Sequence, residues 1–293
     1  MLQRSAMNVL SAVLLAVTLF SLSPTLWAQG NDDNRLVITG SSTVAPLMSE
    51  IAKRFERQHP GTRVDVQTGG SSRGIADARS GRADIGMASR AKKSSEFELL
   101  FHTVALDGIA IIVNKNNPLN TLTDEQIRLV FTGDIGNWKV LGGSDRAITV
   151  VNKAEGRSTL ELFLQYMKLK NSEVAASIII GDNQQGIKTV AGNEHAIGYV
   201  SIGAAEFEAG YGTPIKLLPM GGVAASVDSV KNRRFPLARP LNLVTKQDPV
   251  GLVKKFIAFA QSDSVHDLIT DNYFVAIPAQ TVAENGLGGG QAK

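Results

Sequence analysis

Three segments of the sequence join a short β-rich run, a turn of small hydroxyl residues and an amphipathic stretch. The turns are Thr39-Gly-Ser-Ser-Thr43, Thr68-Gly-Gly-Ser-Ser72 and Glu155-Gly-Arg-Ser-Thr159. The first N–H groups of a helix have no partner within the helix, and the helix dipole makes that end positive. Glycine lets the backbone approach closely and hydroxyls add donors, so each turn predicts an anion site. The alternative for any single turn is a serine or threonine that only caps its helix.

Cationic side chains lie beside these turns or after the neighbouring β runs. Arg73 and Arg157 belong to the second and third turns, Lys153 precedes the third, and Arg90 follows the run that ends at Ala88. A guanidinium can bind an oxyanion through paired hydrogen bonds. These cations therefore favour an oxyanion ligand, although solvated surface charges remain the alternative, above all for Arg73.

The elements that must position these residues alternate between strands and helices, which indicates an α/β protein. Apolar residues of the first helix recur at the i, i+3, i+4, i+7 spacing of one helical face. The sequence predicts strands at 36–39, 63–67, 84–88, 108–113, 147–151 and 241–244, helices at 46–55, 72–79, 122–131, 158–168, 250–260 and 264–270, and a loop at 133–143.

The chain is expected to cross twice between two lobes. The apolar run Gly108–Val113 gives way to the polar segment Asn114–Pro118, and Arg239-Pro240 precedes the β run that returns. The predicted division is lobe 1 at 29–113 plus 243–283, lobe 2 at 114–242, a signal peptide at 1–28 and a flexible tail at 284–293. A hinged cleft of this kind suits ligand capture.

The N-terminus has the pattern of a secretory signal peptide. Arg4 is the only charged residue before Asp32, and it precedes the apolar run Val9–Phe20, which is too short to span a bilayer comfortably. The small residue Ala28 ends this segment, as a cleavage site requires. The sequence contains no cysteine, so we expect a periplasmic product without disulfides, thiol chemistry or a lipid anchor.

Composition argues against several classes of protein. The net charge is +3, aromatic residues make up 6%, and no basic tract is interleaved with aromatics, so nucleic-acid binding has no support. The histidines are widely spaced and match no metal motif, and no GxxxxGK[ST] sequence is present. We therefore expect a monomer without metal or other cofactor. The four histidines are His59, His102, His195 and His266.

Five segments carry a family resemblance across residues 36–280. They are GSSTVAP at 40–46, GGSSRG at 69–74, ADIGMASR at 83–90, FTGDIGNW at 131–138 and AIGYV at 196–200. In this order they resemble the phosphate-binding proteins of high-affinity phosphate ABC transporters. The resemblance implies a type II periplasmic-binding-protein fold, in which each of two lobes is a mixed sheet flanked by helices and two hinge crossovers join them. It also implies delivery of phosphate to an inner-membrane ABC permease, without enzymatic activity.

The same resemblance implies roles for particular residues. Thr43 and Val44 present main-chain and hydroxyl donors, Ser71 matches the serine of the second loop, and Thr159 matches the threonine that opens the second-lobe helix. Lys153 lies where many members have arginine. With the neighbouring residues, the predicted ligand-binding set is Ser42, Thr43, Val44, Ser71, Ser72, Ser89, Arg90, Lys153, Arg157, Ser158 and Thr159.

Two departures from the family pattern leave the identity of the anion open. Many members have an aspartate after the third strand that accepts the proton of hydrogen phosphate, whereas this chain reads Ala88-Ser-Arg90. The usual Gly-Ser-Gly-Thr of the second lobe is Gly156-Arg-Ser-Thr159 here. Both changes make the site more positive, so a sulfate-like oxyanion stays an alternative. Asp84 and Glu155 are candidate proton acceptors by their position in the sequence.

Two other functional classes compete with transport. Gly70-Ser-Ser-Arg-Gly74 fits the G-x-S-x-G motif of serine hydrolases with Ser72 as nucleophile. However, no later histidine has a recognisable motif, and the preceding run Arg63–Gln67 alternates, unlike the doubly buried central strand of that fold. A binding module used for sensing or adhesion is the other alternative, and the sequence does not separate it from transport.

Overall fold

The computed structural model describes residues 34–278, and the predicted signal peptide and tail lie outside them. The strands are β1 Arg35–Gly40, β2 Arg63–Thr68, β3 Ile85–Ala88, β4 Leu100–Asn114, β5 Thr149–Lys153, β6 Ile178–Ile180, β7 Ala196–Ser201, β8 Ile215–Leu218, β9 Ala238–Thr245 and β10 Val275–Ala276. The α-helices are α1 Ala45–Gln58, α2 Ser71–Ser80, α3 Asp124–Thr132, α4 Ser158–Met167, α5 Asn183–Ala191, α6 Ile202–Gly210, α7 Val227–Lys231, α8 Gly251–Ala260 and α9 His266–Asp271. Within this range, no helix combines the length and the apolar character needed to cross a membrane.

The strands form one mixed sheet in the order β2-β1-β3-β9-β4-β7-β5-β6, with β8 and β10 also paired to β4. β1 pairs in parallel with β2 and β3, and β5 pairs in parallel with β6 and β7. The long strands β4 and β9 are antiparallel to each other and join these two parallel groups. The carboxyl ends of parallel strands share one edge, so each group presents its following turns together.

Two large apolar clusters form the core. The first core combines one face of β1 and α1 with residues of β9, α8 and α9, including Ile38, Phe55 and Phe256. The second core includes Phe131, Phe163 and Tyr199, whose ring centroids lie 4.0 to 5.6 Å apart. Smaller clusters cover the opposite sheet faces, so helices flank the sheet on both sides. The predicted mixed α/β architecture is confirmed.

The chain passes between the two large cores within continuous strands rather than through loops. In β4, Ala105 packs in the first core and Ile109 in the second. In β9 and the residue before it, Leu237 packs in the second core and Leu241 in the first. The apolar clusters thus divide several residues before the predicted lobe boundary at 113/114, and the division into lobes stays a proposal.

Most predicted elements lie within one to three residues of the observed bounds, and the largest difference is at β4. This strand begins at Leu100 rather than Gly108, because its first half, a mixture of polar and apolar residues, pairs with β9 and accommodates a bulge between Thr103 and Ala105. The predicted loop 133–143 contains a 3₁₀ turn, Trp138–Leu141, in which Trp138 is buried.

Candidate functional site

The first two turns pack against each other because Gly40 brings their backbones into contact. Gly40 has a φ of +133°, and a Cβ there would lie 2.4 Å from the Met87 carbonyl oxygen. The carbonyl of Gly40 accepts hydrogen bonds from the N–H groups of Gly69 and Gly70, at 2.9 Å each. The turns after β1 and β2 and the end of β3 therefore meet at one point.

The helices that follow the three turns share an N-terminal feature. α1, α2 and α4 begin without a side-chain hydrogen bond to their first N–H groups. Of the other helices, α3, α5, α6 and α7 are capped by a threonine, an aspartate and two serines, whereas α8 and α9 also lack a side-chain cap but follow valines rather than hydroxyl residues. Since hydroxyl residues are present at the three turns but do not cap, these termini keep positive potential for an anion.

Arg239 on β9 joins residues from all parts of the site. Its guanidinium donates to the hydroxyls of Thr159 at 2.9 Å, Ser89 at 3.3 Å and Thr43 at 3.3 Å. It also binds Asp107, the residue directly opposite on β4, at 2.9 and 3.2 Å. Arg239 is only 2% exposed, so these contacts are shielded from bulk solvent.

Lys153 at the end of β5 adds a second buried cation. Its Nζ donates to Asn183 Oδ1 at 2.9 Å, and Asn183 Nδ2 donates to the Thr43 hydroxyl at 3.2 Å. Burial lowers the pKa of Lys153 to about 7, and the neighbouring Arg239 adds to the effect. We call the following residues, all buried, the polar cluster: Thr43, Ser71, Ser89, Asp107, Lys153, Thr159, Asn183 and Arg239.

The polar cluster has more positive than negative groups. Arg239 and Asp107 balance each other as an ion pair. Lys153 and the uncapped helix termini are left over, so an anion would find compensating charge here, and buried charges require such partners. Several hydroxyls of the cluster already act as acceptors toward Arg239 or as links between loops, and their rotation can redirect their protons.

Two predicted residues at the start of α4 each have a buried polar atom with no hydrogen-bond partner among the described residues. They are Arg157 Nε and Ser158 Oγ. Arg157 lies between Gly70 and Gly181, where a Cβ would come within 2.9 Å of its Cδ and 3.4 Å of its Nη2, respectively. Unpaired buried polar atoms are uncommon, and a ligand at the start of α4 would give these two a partner. A third such atom, Arg90 Nε, lies near Glu161.

Arg90 is not brought into the polar cluster. Its guanidinium forms two hydrogen bonds with Glu96, at 2.6 and 2.9 Å, and its side chain is 5% exposed. Its Nε lies 3.4 Å from Glu161, which also binds Lys93 at 2.7 Å and the Ser72 hydroxyl at 3.4 Å. Arg90 is thus engaged by carboxylates, because Glu96 neutralises it within the same loop.

Of the remaining predicted residues, some lie in the polar cluster and others lie beside it. Ser71 and Ser89 join the cluster, since the Ser71 hydroxyl accepts from the Ser89 N–H at 3.2 Å. Val44 is buried, but its N–H already donates to the Ser41 carbonyl at 3.2 Å. Ser42 is half-buried and lines a surface groove of about 1420 Å³ that reaches Thr43 and Asn183.

The structure places the other candidate groups away from the cluster. Asp84 and Glu155 are exposed; Asp84 accepts from the Val37 N–H and Glu155 from Asn171. Ser72 is exposed, and none of the four histidines, all within residues 34–278, hydrogen-bonds it. Across the same residues, no group of three His, Asp or Glu side chains could hold a metal ion.

Sequence reasoning missed Asp107, Asn183 and Arg239. A signal for two of them was present, because Asp107 directly precedes the predicted apolar β run 108–113 and Arg239 stands two residues before the run 241–244. Buried charges are rarely unpaired, so each implied a partner. Asn183 carried no such signal, since it opens a helix beside Asp182, where a polar residue is ordinary.

A mixed β-sheet is flanked by helices, and the uncapped N-termini of three of these helices lie around buried cations. This arrangement is that of a solute-binding protein for anions. The family model described as "PBP superfamily domain" matches residues 28–264. Among solved structures, a phosphate ABC transporter substrate-binding protein with bound phosphate from Clostridium perfringens is 34% identical, with a TM-score of 0.77, and the match covers 84% of this chain and 100% of that one. The chain therefore belongs to the PBP superfamily, in the family of phosphate ABC transporter substrate-binding proteins.

Two further relatives agree with this assignment. An ABC-type phosphate transport receptor from Vibrio cholerae is 33% identical, with a TM-score of 0.69, over 83% of this chain and 100% of that one. The phosphate-binding protein PstS of Bacillus subtilis is 29% identical over 86% of this chain and 84% of its own length. The family is one of transport receptors rather than of enzymes, and the periplasmic-binding-protein fold is confirmed.

Proposed function

We propose that this protein captures inorganic phosphate between two closing lobes and delivers it to an ABC permease. The observation that carries the proposal is the polar cluster, in which Arg239 links Thr43, Ser89 and Thr159 beside the uncapped starts of α1, α2 and α4. Relatives named as phosphate receptors support the choice of ligand.

The closing motion is supported by contacts between the proposed lobes. The Ser72 N–H donates to the Gly156 carbonyl at 3.2 Å, Asn183 binds Thr43, and Glu161 binds Lys93. Opening would break these bonds. A ligand stabilises the closed form only through contacts that this form alone makes. We expect the protein to act without catalysis, after export directed by residues 1–28, as a monomer in the periplasm.

A sulfate-like oxyanion is the second candidate ligand. By the family resemblance, Arg90 stands where many members have an aspartate that accepts the proton of the ligand. The carboxylates of Asp84 and Glu155 lie outside the cluster. The buried carboxylate in the cluster, Asp107, is already engaged by Arg239 and the Gly203 N–H. A use in sensing or adhesion would keep the same site but dispense with a permease.

Calorimetric titration of the ligand-free protein with phosphate tests the proposal, followed by the same titration in a large excess of sulfate. Saturable phosphate binding with a stoichiometry of one that persists in sulfate is the expected result. Phosphate binding that sulfate abolishes would make the protein a general oxyanion receptor. If phosphate gives no binding heat and no rise in melting temperature, the proposed function is wrong.

A further inference from the structure

Lys153 is held in the polar cluster with few partners for an ammonium group. Its side chain is buried, and among the described residues its Nζ donates one hydrogen bond, to Asn183 at 2.9 Å. An ammonium carries three donors, whereas a neutral amine needs fewer partners and can accept a bond. The backbone N–H of Lys153 is fixed by the Tyr199 hydroxyl at 3.3 Å, so the side chain starts from a rigid point.

The charged groups around Lys153 come from three elements. Arg239 on β9 and Arg157 before α4 disfavour a further positive charge, whereas Asp182 before α5 favours it. Asp107 forms an ion pair with Arg239. Burial is the largest effect and acts with the two guanidinium groups, so the pKa of Lys153 is about 7 instead of its usual value.

We propose that Lys153 makes phosphate binding proton-linked: the lysine is a neutral amine in much of the ligand-free protein and becomes an ammonium when the anion arrives. The proton comes from solvent when HPO₄²⁻ binds. When H₂PO₄⁻ binds, the ligand's own proton passes to the amine nitrogen. In both cases the same charges result, an ammonium beside a phosphate dianion. This inference rests on the proposed function, because it assigns a role within the same site.

The linkage has a definite direction with pH. An anion in the cluster raises the pKa of Lys153, so the complex binds more protons than the ligand-free protein above about pH 7. The affinity for the phosphate dianion then falls by up to about tenfold for each pH unit above that value. An arginine at this position keeps its charge throughout this range, so it provides the charge without the linkage.

The experiment is calorimetric titration of phosphate at about pH 8.5 in two buffers that differ in ionisation enthalpy, with the wild type and Lys153→Arg. At this pH nearly all ligand-free Lys153 is expected to be neutral and free phosphate is dianionic. The wild type should take up about one proton per phosphate, and Lys153→Arg should bind phosphate with uptake close to zero.

Each other outcome counts against a specific statement. Phosphate binding by the wild type without proton uptake would overturn the role of Lys153 but leave the proposed function intact. Equal uptake by wild type and Lys153→Arg would place the proton on another group, and the ³¹P chemical shift of the bound ligand would show whether phosphate itself carries it. Absence of binding by the wild type would overturn the proposed function as well. If Lys153→Arg does not bind, Lys153→Met supplies the comparison: uptake by that variant equal to wild type would also refute the inference.

Discussion

The pairing of Arg239 with Asp107 determines how charge is distributed in the site. Both side chains are about 1% exposed, and they lie opposite each other on β9 and β4. A lone guanidinium at this depth would be strongly unfavourable, whereas the pair can remain without a ligand. The pair therefore offers donors to Thr43, Ser89 and Thr159 without a net charge, and Lys153 supplies the charge that an anion must meet.

Replacing Arg239 with methionine should abolish phosphate binding and also destabilise the protein. The variant removes the donors to three hydroxyls and leaves Asp107 buried without its cation, which typically costs about 3–5 kcal/mol of unfolding free energy. Urea unfolding and calorimetric titration measure the two effects separately.

The double variant Arg239→Met with Asp107→Asn is the matched control for that change. It removes the unpaired carboxylate, so much of the lost stability should return while binding stays absent. Recovery of phosphate binding in the double variant would show that Arg239 matters only as a partner for Asp107. An unchanged unfolding free energy of Arg239→Met would contradict the statement that Arg239 and Asp107 form a buried ion pair.

At the residue scale, the sequence predicts hydroxyls better than charges. Thr43, Ser71 and Thr159 stand at the ends of strands before helices, so their meeting follows from α/β architecture alone. The link between Arg239 and Asp107 depends on the register of two strands that are more than a hundred residues apart. Arg90 lies outside the polar cluster because its partner Glu96 stands in a short 3₁₀ turn that local patterning does not reveal.

At the scale of elements, α4 has two roles. Its N-terminus places Thr159 at Arg239, and two residues later Glu161 reaches Lys93 and Ser72 on the other side of the proposed cleft. The helix thus connects the site to the ion pair between Glu161 and Lys93, which we call the rim bridge. Glu161 is 30% exposed and Lys93 51%, so water competes with this bridge and its contribution is modest.

Replacing Glu161 with glutamine should speed release of phosphate rather than prevent binding. Loss of the rim bridge is expected to weaken affinity by about two- to tenfold, mostly through a faster dissociation rate. Stopped-flow measurement of dissociation tests this expectation. Glu125→Gln is the control, since within residues 34–278 the ion-pair partner of Glu125 is Arg128 on its own helix. If both variants release phosphate at the wild-type rate, the bridge does not hold the closed form.

Elements were predictable wherever one face of a helix or strand carries the apolar residues. The first helix is an example: Leu47, Met48, Ile51 and Phe55 are all buried, as the helical spacing requires. The first half of β4 was missed because it reads as a mixture of polar and apolar residues. That segment is a strand because β9 lies beside it, and tertiary pairing of this kind overrides local propensity.

At the scale of the whole molecule, the burial of Lys153 links stability to pH. The folded protein holds the pKa of this lysine at about 7, below the ordinary value of 10.5 that it has when unfolded. Between these values the unfolded chain binds more protons than the folded one. The unfolding free energy of the ligand-free protein therefore rises with pH across this range, and the penalty is fully present below about pH 7.

This pH dependence of the unfolding free energy is measurable by urea unfolding at pH 7 and pH 9 with the wild type and Lys153→Met. The gain on raising the pH should be about 2 kcal/mol larger in the wild type, because only that protein has the buried amine. Saturating phosphate should reduce this difference, since an anion pairs with the ammonium. Identical pH slopes for the two proteins would mean that Lys153 stays charged in the folded state.

The passage of β4 and β9 through both cores also bears on the order in which the two cores can form as the chain is synthesised. The buried residues of the second core all come from the stretch between Ile109 and Leu237, so most of this core can assemble before later residues are available. The first core needs Leu241, Phe256 and Ile269 to pack on Ile38 and Phe55, contacts that span some two hundred residues. Such long loops close slowly, and the N-terminal helix and strands must stay incomplete until the end arrives. The interval before closure is therefore when a chaperone would have most apolar surface to hold.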